Sequence, residues 1–141
     1  MVDEPLDAPE YERWLEAARR AIGAARLQAD HGYHEWACFL AEQAAQLGTK
    51  GLLHGIGVAA WGHDLGVLCQ AVAESLGSSW PGDASRWAER LSRFYIPTRY
   101  PDAVPGRIPG ARYDADDSGE ALADAEAMLG AVVGAWAELR R

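Results

Sequence analysis

The sequence predicts an all-α fold, an up-and-down antiparallel bundle of four to five helices. Three observations carry this. Apolar residues recur at steps of three and four along most of the chain. No segment alternates β-branched with polar residues as a half-buried strand would. The connections between the first four periodic segments are short, which favours antiparallel neighbours.

The first helix is read over about residues 9 to 29. Pro9 sits where a first turn tolerates it, and Trp14, Leu15, Ala18, Ala21, Ile22 and Ala25 form the apolar stripe. Asp30-His31-Gly32 supplies a stop, because Gly can take the left-handed conformation that ends helices. Helix two follows from about Tyr33 to Ile56, with Trp36, Phe39, Leu40, Ala44, Leu47, Leu52 and Leu53 on its apolar side. Gly48 and Gly51 weaken it by about 1 kcal/mol each relative to Ala, a cost that close packing of a neighbour would explain.

Helix three is placed at about residues 63 to 76, carrying Leu65, Leu68, Cys69, Val72 and Leu76 inward. Gly77 to Gly82 is a turn cluster, and Asp83 is read as the N-cap of a fourth helix through about Phe94. From residue 96 to 116 the prolines at 97, 101, 105 and 109 exclude helix and central strand, leaving a long Pro/Gly-rich loop. Such a loop in a compact domain is usually functional or disordered. Asp117 or Ser118 is read as the cap of the last helix, whose apolar set is Leu122, Ala125, Leu129, Val132, Val133 and Trp136.

A length of 141 residues suits one domain, 1–141, able to bury roughly 68–70% of its unfolded surface. Apolar residues at 49% and charged residues at 24% match globular usage and argue against disorder. The start has no signal-peptide pattern and the chain no long apolar run, so a cytoplasmic protein with no membrane partner is expected. Cys38 and Cys69 lie in helical patterns without metal or redox spacing and read as small buried hydrophobes. A net charge of −8 opposes a broad grip on duplex nucleic acid. The acids cluster from Asp114 to Glu126, whereas arginines dominate residues 86 to 112, the one region able to attract phosphate.

Several motifs are candidates for chemistry. Gly55 to Ala60 spells G-x-G-x-x-A, yet that fingerprint works between a strand and a helix, and here a helix precedes it. His31 and His34 beside Glu35 lack the second ligand pair of a zinc site, so no metal and no cofactor are expected. Asp64 at the mouth of helix three can cap free N–H groups while His63 faces a cleft against the neighbouring helix. Pro101 pushes Tyr100 toward extended backbone, which would send Arg99 and Tyr100 to opposite sides, one toward phosphate and the other to stack. Lys50, the only lysine, adds a cation on helix two. Six tryptophans are many for this length, and a face built from Trp36, Trp61, Trp80 or Trp87 would anchor an interface.

Three segments taken in order resemble one family. Gln43-Ala44-Ala45-Gln46-Leu47-Gly48-Thr49-Lys50-Gly51-Leu52-Leu53 is similar to the central helix of HEPN-domain proteins. His63-Asp64-Leu65 with Leu68 resembles that family's next helix start, and Arg99-Tyr100-Pro101-Asp102 its late Arg-Tyr-Pro segment. The resemblance extends from helix one to about Trp136. It implies a helical domain that commonly pairs with itself and binds nucleotides or RNA. Many relatives partner small nucleotidyltransferases in toxin–antitoxin or resistance systems, and another branch consists of metal-independent ribonucleases. Gln46, Leu47 and Gly48 stand where relatives often carry Glu, Lys and Ala, removing a charge from that helix.

The nuclease branch relies on an Arg followed four to six residues later by His in the second half of the domain, and no His follows His63. Arg26 and His31 have that spacing but lie in the first helix. The reading is therefore a non-catalytic module with no catalytic residues. Lys50 and Arg99 would hold phosphate, Tyr100 would contact a base or sugar, and His63 with Asp64 would supply hydrogen bonds. The expected partners are a second copy in a homodimer, a small nucleotidyltransferase, and a nucleotide or RNA. The alternatives are a metal-independent ribonuclease, in which His63 and Arg99 meet across the bundle, and a purely structural dimerisation module.

Overall fold

In a computed structural model, residues 5–96 and 98–141 are described, and the initial four residues and Pro97, one of the four loop prolines, lie outside them. Five α-helices account for most of the described chain: α1 (Ala8–Asp30), α2 (His34–Gly55), α3 (Leu65–Leu76), α4 (Ala84–Ser92) and α5 (Ala115–Leu139). No strand occurs among the described residues.

The helix starts follow from local chemistry. Asp7 accepts from the Glu10 amide at 3.2 Å and opens α1, with Pro9 in its first turn. Gly32, at φ +84°, turns the chain between α1 and α2. α3 begins at Leu65, with Asp64 as its cap accepting from the Val67 amide at 3.2 Å, so His63 sits before the helix and not in its first turn. Asp83 does not cap α4 with its side chain, because its carboxylate takes the Arg86 guanidinium at 3.0 Å instead. α5 starts earlier than Asp117 or Ser118 would place it. Asp114 accepts from the Asp117 amide and the Asp117 carboxylate accepts from the Asp114 amide, both at 3.0 Å, a reciprocal capping box. Ser118 is buried, and its hydroxyl meets His34 Nδ1 at 2.9 Å.

Direction is fixed by contacts at the ends. The Asp7 amide donates to the Gly55 carbonyl at 2.8 Å, so the start of α1 meets the end of α2 and the two are antiparallel. Tyr11 stacks on Trp136, so α5 is antiparallel to α1 and parallel to α2. Arg90 pairs with Asp124 and Arg93 with Glu120, which makes α4 antiparallel to α5. Along α1, α2, α4 and α5 the directions therefore alternate, and the long segment before Asp114 carries the chain to the start of α5. Among its described residues that segment keeps two short 3-10 turns, Pro101–Ala103 and Pro109–Ala111.

α2 lies at the centre and is buried on nearly every side, as a helix with neighbours all around it must be. Its glycines mark the closest approaches. A Cβ on Gly48 would meet Leu129 of α5, one on Gly51 would lie 2.7 Å from Trp14 Cβ, and one on Gly55 would lie 2.6 Å from the Trp136 ring. Gly55 of the G-x-G-x-x-A match is thus a packing residue at a helix end, and the following residues turn into a connection. Both cysteines are free and buried, and burial pushes the Cys38 thiol up to about 12, which keeps it unreactive.

Candidate functional site: a cleft between the second helix and the third and fourth

The side of α2 turned away from α1 carries Phe39, Glu42, Gln43 and Gln46, positions three and four apart that share one helix face. Glu42 is fully buried (0% exposed), yet each oxygen of its carboxylate has a donor: Gln43 Nε2 at 2.8 Å on one and Gln46 Nε2 at 2.6 Å on the other. Gln46 also reaches the residues that precede α3. Its Nε2 donates to the His63 carbonyl at 3.0 Å, and its Oε1 lies 3.3 Å from His63 Nδ1. This pair of contacts pins His63 at the edge of the cleft, with its ring stacked on Tyr95 (centroids 5.5 Å apart, planes 17° apart).

Tyr95 follows the end of α4 and in turn holds Arg99. Arg99 Nε donates to the Tyr95 carbonyl at 3.0 Å, and the guanidinium lies over Phe39, Tyr95 and Tyr100 at 4.4, 4.8 and 5.1 Å from their centroids. A planar, weakly hydrated guanidinium is suited to such an aromatic setting. A pocket of about 360 Å³ opens here, lined by Glu42, His63, Asp64, Ser92 and Tyr95.

His63 and Asp64 therefore wall one pocket, and Arg99 is bound to the Tyr95 that walls it too. Lys50 does not line it: two turns beyond Glu42 on α2, about 12 Å along the axis, it acts on the Glu42 carboxylate only as a distant charge. Tyr100 is half exposed and outside the lining. The backbone of Tyr100 is extended (φ −118°, ψ 124°) as Pro101 requires, but Arg99 and Tyr100 do not diverge. The long Arg99 side chain folds back over the neighbouring ring, a freedom that backbone direction does not restrict.

Sequence reasoning passes over Glu42 and Tyr95, and reads Phe39 only as an apolar-side residue and Gln46 only as a departure from the family pattern. The remaining motifs take structural roles. His34 ties α2 to α5 through Ser118, and Arg26 pairs with Glu126 across the α1–α5 contact. Trp80 is buried, donating from Nε1 to Cys69 Sγ at 3.3 Å, and Trp87 packs against the core. Neither is an exposed residue, whereas Trp61 (83% exposed) and Trp36 (44%) are.

Burial raises the Glu42 carboxyl above its ordinary value of 4.5, against the lowering by Gln46, Gln43 and the more distant Arg99 and Lys50. The sign of the linkage follows. Below the ordinary value the carboxyl is protonated in both states, and as pH rises the unfolded chain releases its proton first, so stability falls until the folded-state value is passed. Glu42→Gln keeps an acceptor for Gln46 and removes that titration. Urea unfolding of both proteins between about pH 4 and about pH 7 is expected to show the variant gaining on the parent as pH rises, and parallel curves would contradict the buried-carboxyl account.

The comparisons agree with this architecture. A family model described as HEPN domain matches residues 11–136. Among solved structures, TT1696 from Thermus thermophilus superimposes with a TM-score of 0.84 at 36% identity, over 89% of this chain and 98% of its own. ST0689, described as an archaeal HEPN homologue, gives 0.73 at 33% identity, over 89% and 96%. An HEPN domain protein from Thermotoga maritima gives 0.65 at 25% identity, over 83% and 91%. No match is found among curated proteins. The match over residues 11–136 and these superpositions define a helical domain of the HEPN type. This chain belongs to the HEPN domain family. No described helix is long and apolar enough to cross a membrane.

Proposed function

We propose that this chain is a nucleotide-binding HEPN module that pairs with itself and works beside a small nucleotidyltransferase in a toxin–antitoxin-like system. The observation that supports the ligand half is the stacked His63–Tyr95 pair with Arg99 held against it, at the edge of a pocket that also contains two carboxylates. At about 360 Å³ the pocket falls in the range of small-molecule sites. Arg99 uses Nε on Tyr95, and its terminal N–H groups are the ones to meet a phosphate oxygen. His63 and Asp64 offer hydrogen bonds to the amino-bearing edge of a base. Tyr100 lies where a sugar or base extends out of the cleft, and Lys50 contributes positive potential at longer range. The exposed Trp61 and Trp36 supply the aromatic anchors from which protein interfaces draw most of their energy.

Calorimetric titration with ATP and GTP tests the ligand half. Saturable heat is expected, with Arg99→Ala weakening affinity by roughly tenfold or more, the loss of one charge-assisted contact. The absence of heat above the buffer blank at millimolar nucleotide rejects it. Sedimentation tests pairing, and a strict monomer at all concentrations rejects the homodimer.

A further inference from the structure

A side-chain amide has a donating end and an accepting end, and its partners decide which end lies where. Gln46, only 2% exposed, has three partners. Its Nε2 lies 2.6 Å from the Glu42 carboxylate and 3.0 Å from the His63 carbonyl oxygen. A backbone carbonyl only accepts, whatever the protonation state of Glu42, so the NH₂ group must face it. Turning the amide over would set its oxygen against two oxygens in a buried place and lose both bonds.

The third partner is the His63 ring. With its NH₂ group committed, Gln46 presents Oε1 to His63 Nδ1 at 3.3 Å, and an amide oxygen can only accept. Nδ1 must therefore carry a proton, and in the neutral imidazole Nε2 is left bare. His34 is the contrast within the same chain: its Nδ1 meets the Ser118 hydroxyl at 2.9 Å, and a hydroxyl rotates to serve either tautomer. Stacking on Tyr95 covers a face of the His63 ring and not the edge that holds Nε2. His63 is exposed and lines the pocket of about 360 Å³, with the Asp64 carboxylate, another acceptor, next to it.

We propose that Gln46 is a positioning residue that holds neutral His63 as the Nδ1–H tautomer, so that the His63 edge of the pocket takes a group that donates a hydrogen bond, a hydroxyl or an N–H, and discriminates against one that can only accept. A donor on a flat body meets the bare Nε2 while the body rests among the aromatic rings of the cleft. An ether or carbonyl oxygen at the same place meets a lone pair. Glu42 stands one step further back, holding the amide that holds the ring.

The test uses the full chain with nitrogen-15 in its histidine rings, at about pH 8.5, above the range in which imidazoles ordinarily titrate. Long-range proton–nitrogen correlation separates protonated from bare ring nitrogens, and His63→Asn identifies the signals of residue 63. A protonated Nδ1 and a bare Nε2 are expected at His63, whereas the exposed His31 reports the tautomer mixture of a free ring. Gln46→Leu is expected to abolish that difference. Because it also strips a donor from a buried carboxylate, Glu42→Gln serves as the second variant: it keeps an acceptor for Gln46 and is expected to retain the protonated Nδ1. Phenol at millimolar concentration is expected to move the Nε2 resonance toward the protonated position. Anisole, its methyl ether, is expected to bind roughly fivefold or more weakly, the worth of one hydrogen bond. A bare Nδ1 or a tautomer mixture in the parent, an unchanged pattern in folded Gln46→Leu, loss of the pattern in Glu42→Gln, no response of Nε2 to phenol, or equal binding of anisole would each overturn the proposal. No nucleotide enters these measurements, so they stay readable whether or not the cleft binds one.

Discussion

Trp136→Ala is expected to lower the unfolding free energy by about 3–5 kcal/mol, the cost of removing a large buried aromatic side chain. Trp136 is 5% exposed and stacks on Tyr11 with centroids 4.0 Å apart and planes 13° apart. Its ring also fills the space left by Gly55, where even a Cβ would collide with it. One side chain on α5 therefore closes the end of the bundle against both α1 and α2, at the level where the Asp7 amide meets the Gly55 carbonyl. No small rearrangement can refill that volume, because the opposing position on α2 has no side chain. Thermal unfolding followed by circular dichroism should show the midpoint fall by roughly 10–15 °C. A loss under about 1 kcal/mol would mean that α5 does not hold this end together.

The elements that sequence reasoning placed well are those where periodicity and punctuation agree. α1 and α2 are bounded by Asp7, Gly32 and the glycines from Gly55 on; on α1 the stripe Leu15, Ala18, Ile22 and Ala25 is buried, whereas on α2 only Ala44, Leu52 and Leu53 of the expected apolar side are, and Trp36 is exposed. The sequence offers Asp117 or Ser118 as the cap of α5, yet Asp114 and Asp116 beside them are residue types equally able to cap. The choice is made by reciprocity: only Asp114 and Asp117 satisfy one another's backbone, and the helix must begin between them. Asp83 does hold the N-cap position of α4, but its carboxylate takes an arginine three residues on rather than an amide.

The candidate site was only half legible. His63, Asp64 and Arg99 carry recognisable chemistry in a connection, a helix mouth and a loop. Glu42 does not, since a glutamate flanked by Gln43 and Gln46 has the composition of a solvated helix face. It is buried because Ala-rich α2 lets its neighbours approach on almost every side, a property of packing and not of the local string. The spacing of Phe39, Glu42, Gln43 and Gln46 was the available signal: one face carrying an aromatic ring, a carboxylate and two amides, in a helix whose other faces are apolar. Tyr95 escaped notice because its role depends on Arg99 folding back, which rotamers decide and sequence does not.

Gly51→Val is expected to cost about 2–3 kcal/mol, the upper part of the usual range for overpacking. A Cβ at residue 51 lies 2.7 Å from Trp14 Cβ, 3.5 Å from the Tyr11 carbonyl oxygen and 3.6 Å from the Leu15 amide nitrogen. These atoms are backbone or adjoin it, so relief requires α1 to move away from α2 rather than one side chain to turn. Gly48→Ala is the contrast. The atom it meets is the end of the Leu129 side chain, which can rotate, and the gain of about 1 kcal/mol in helix propensity on leaving Gly offsets what remains. Denaturant unfolding should therefore rank Gly48→Ala near the parent and Gly51→Val far below it, and equal losses would place both contacts in the same class. Position 51 faces α1, whereas Glu42 and Gln46 meet the cleft on another side of the same helix. The folded fraction of Gly51→Val should accordingly retain the nucleotide affinity of the parent, and a parallel loss of affinity would show that the cleft depends on how closely α1 approaches α2.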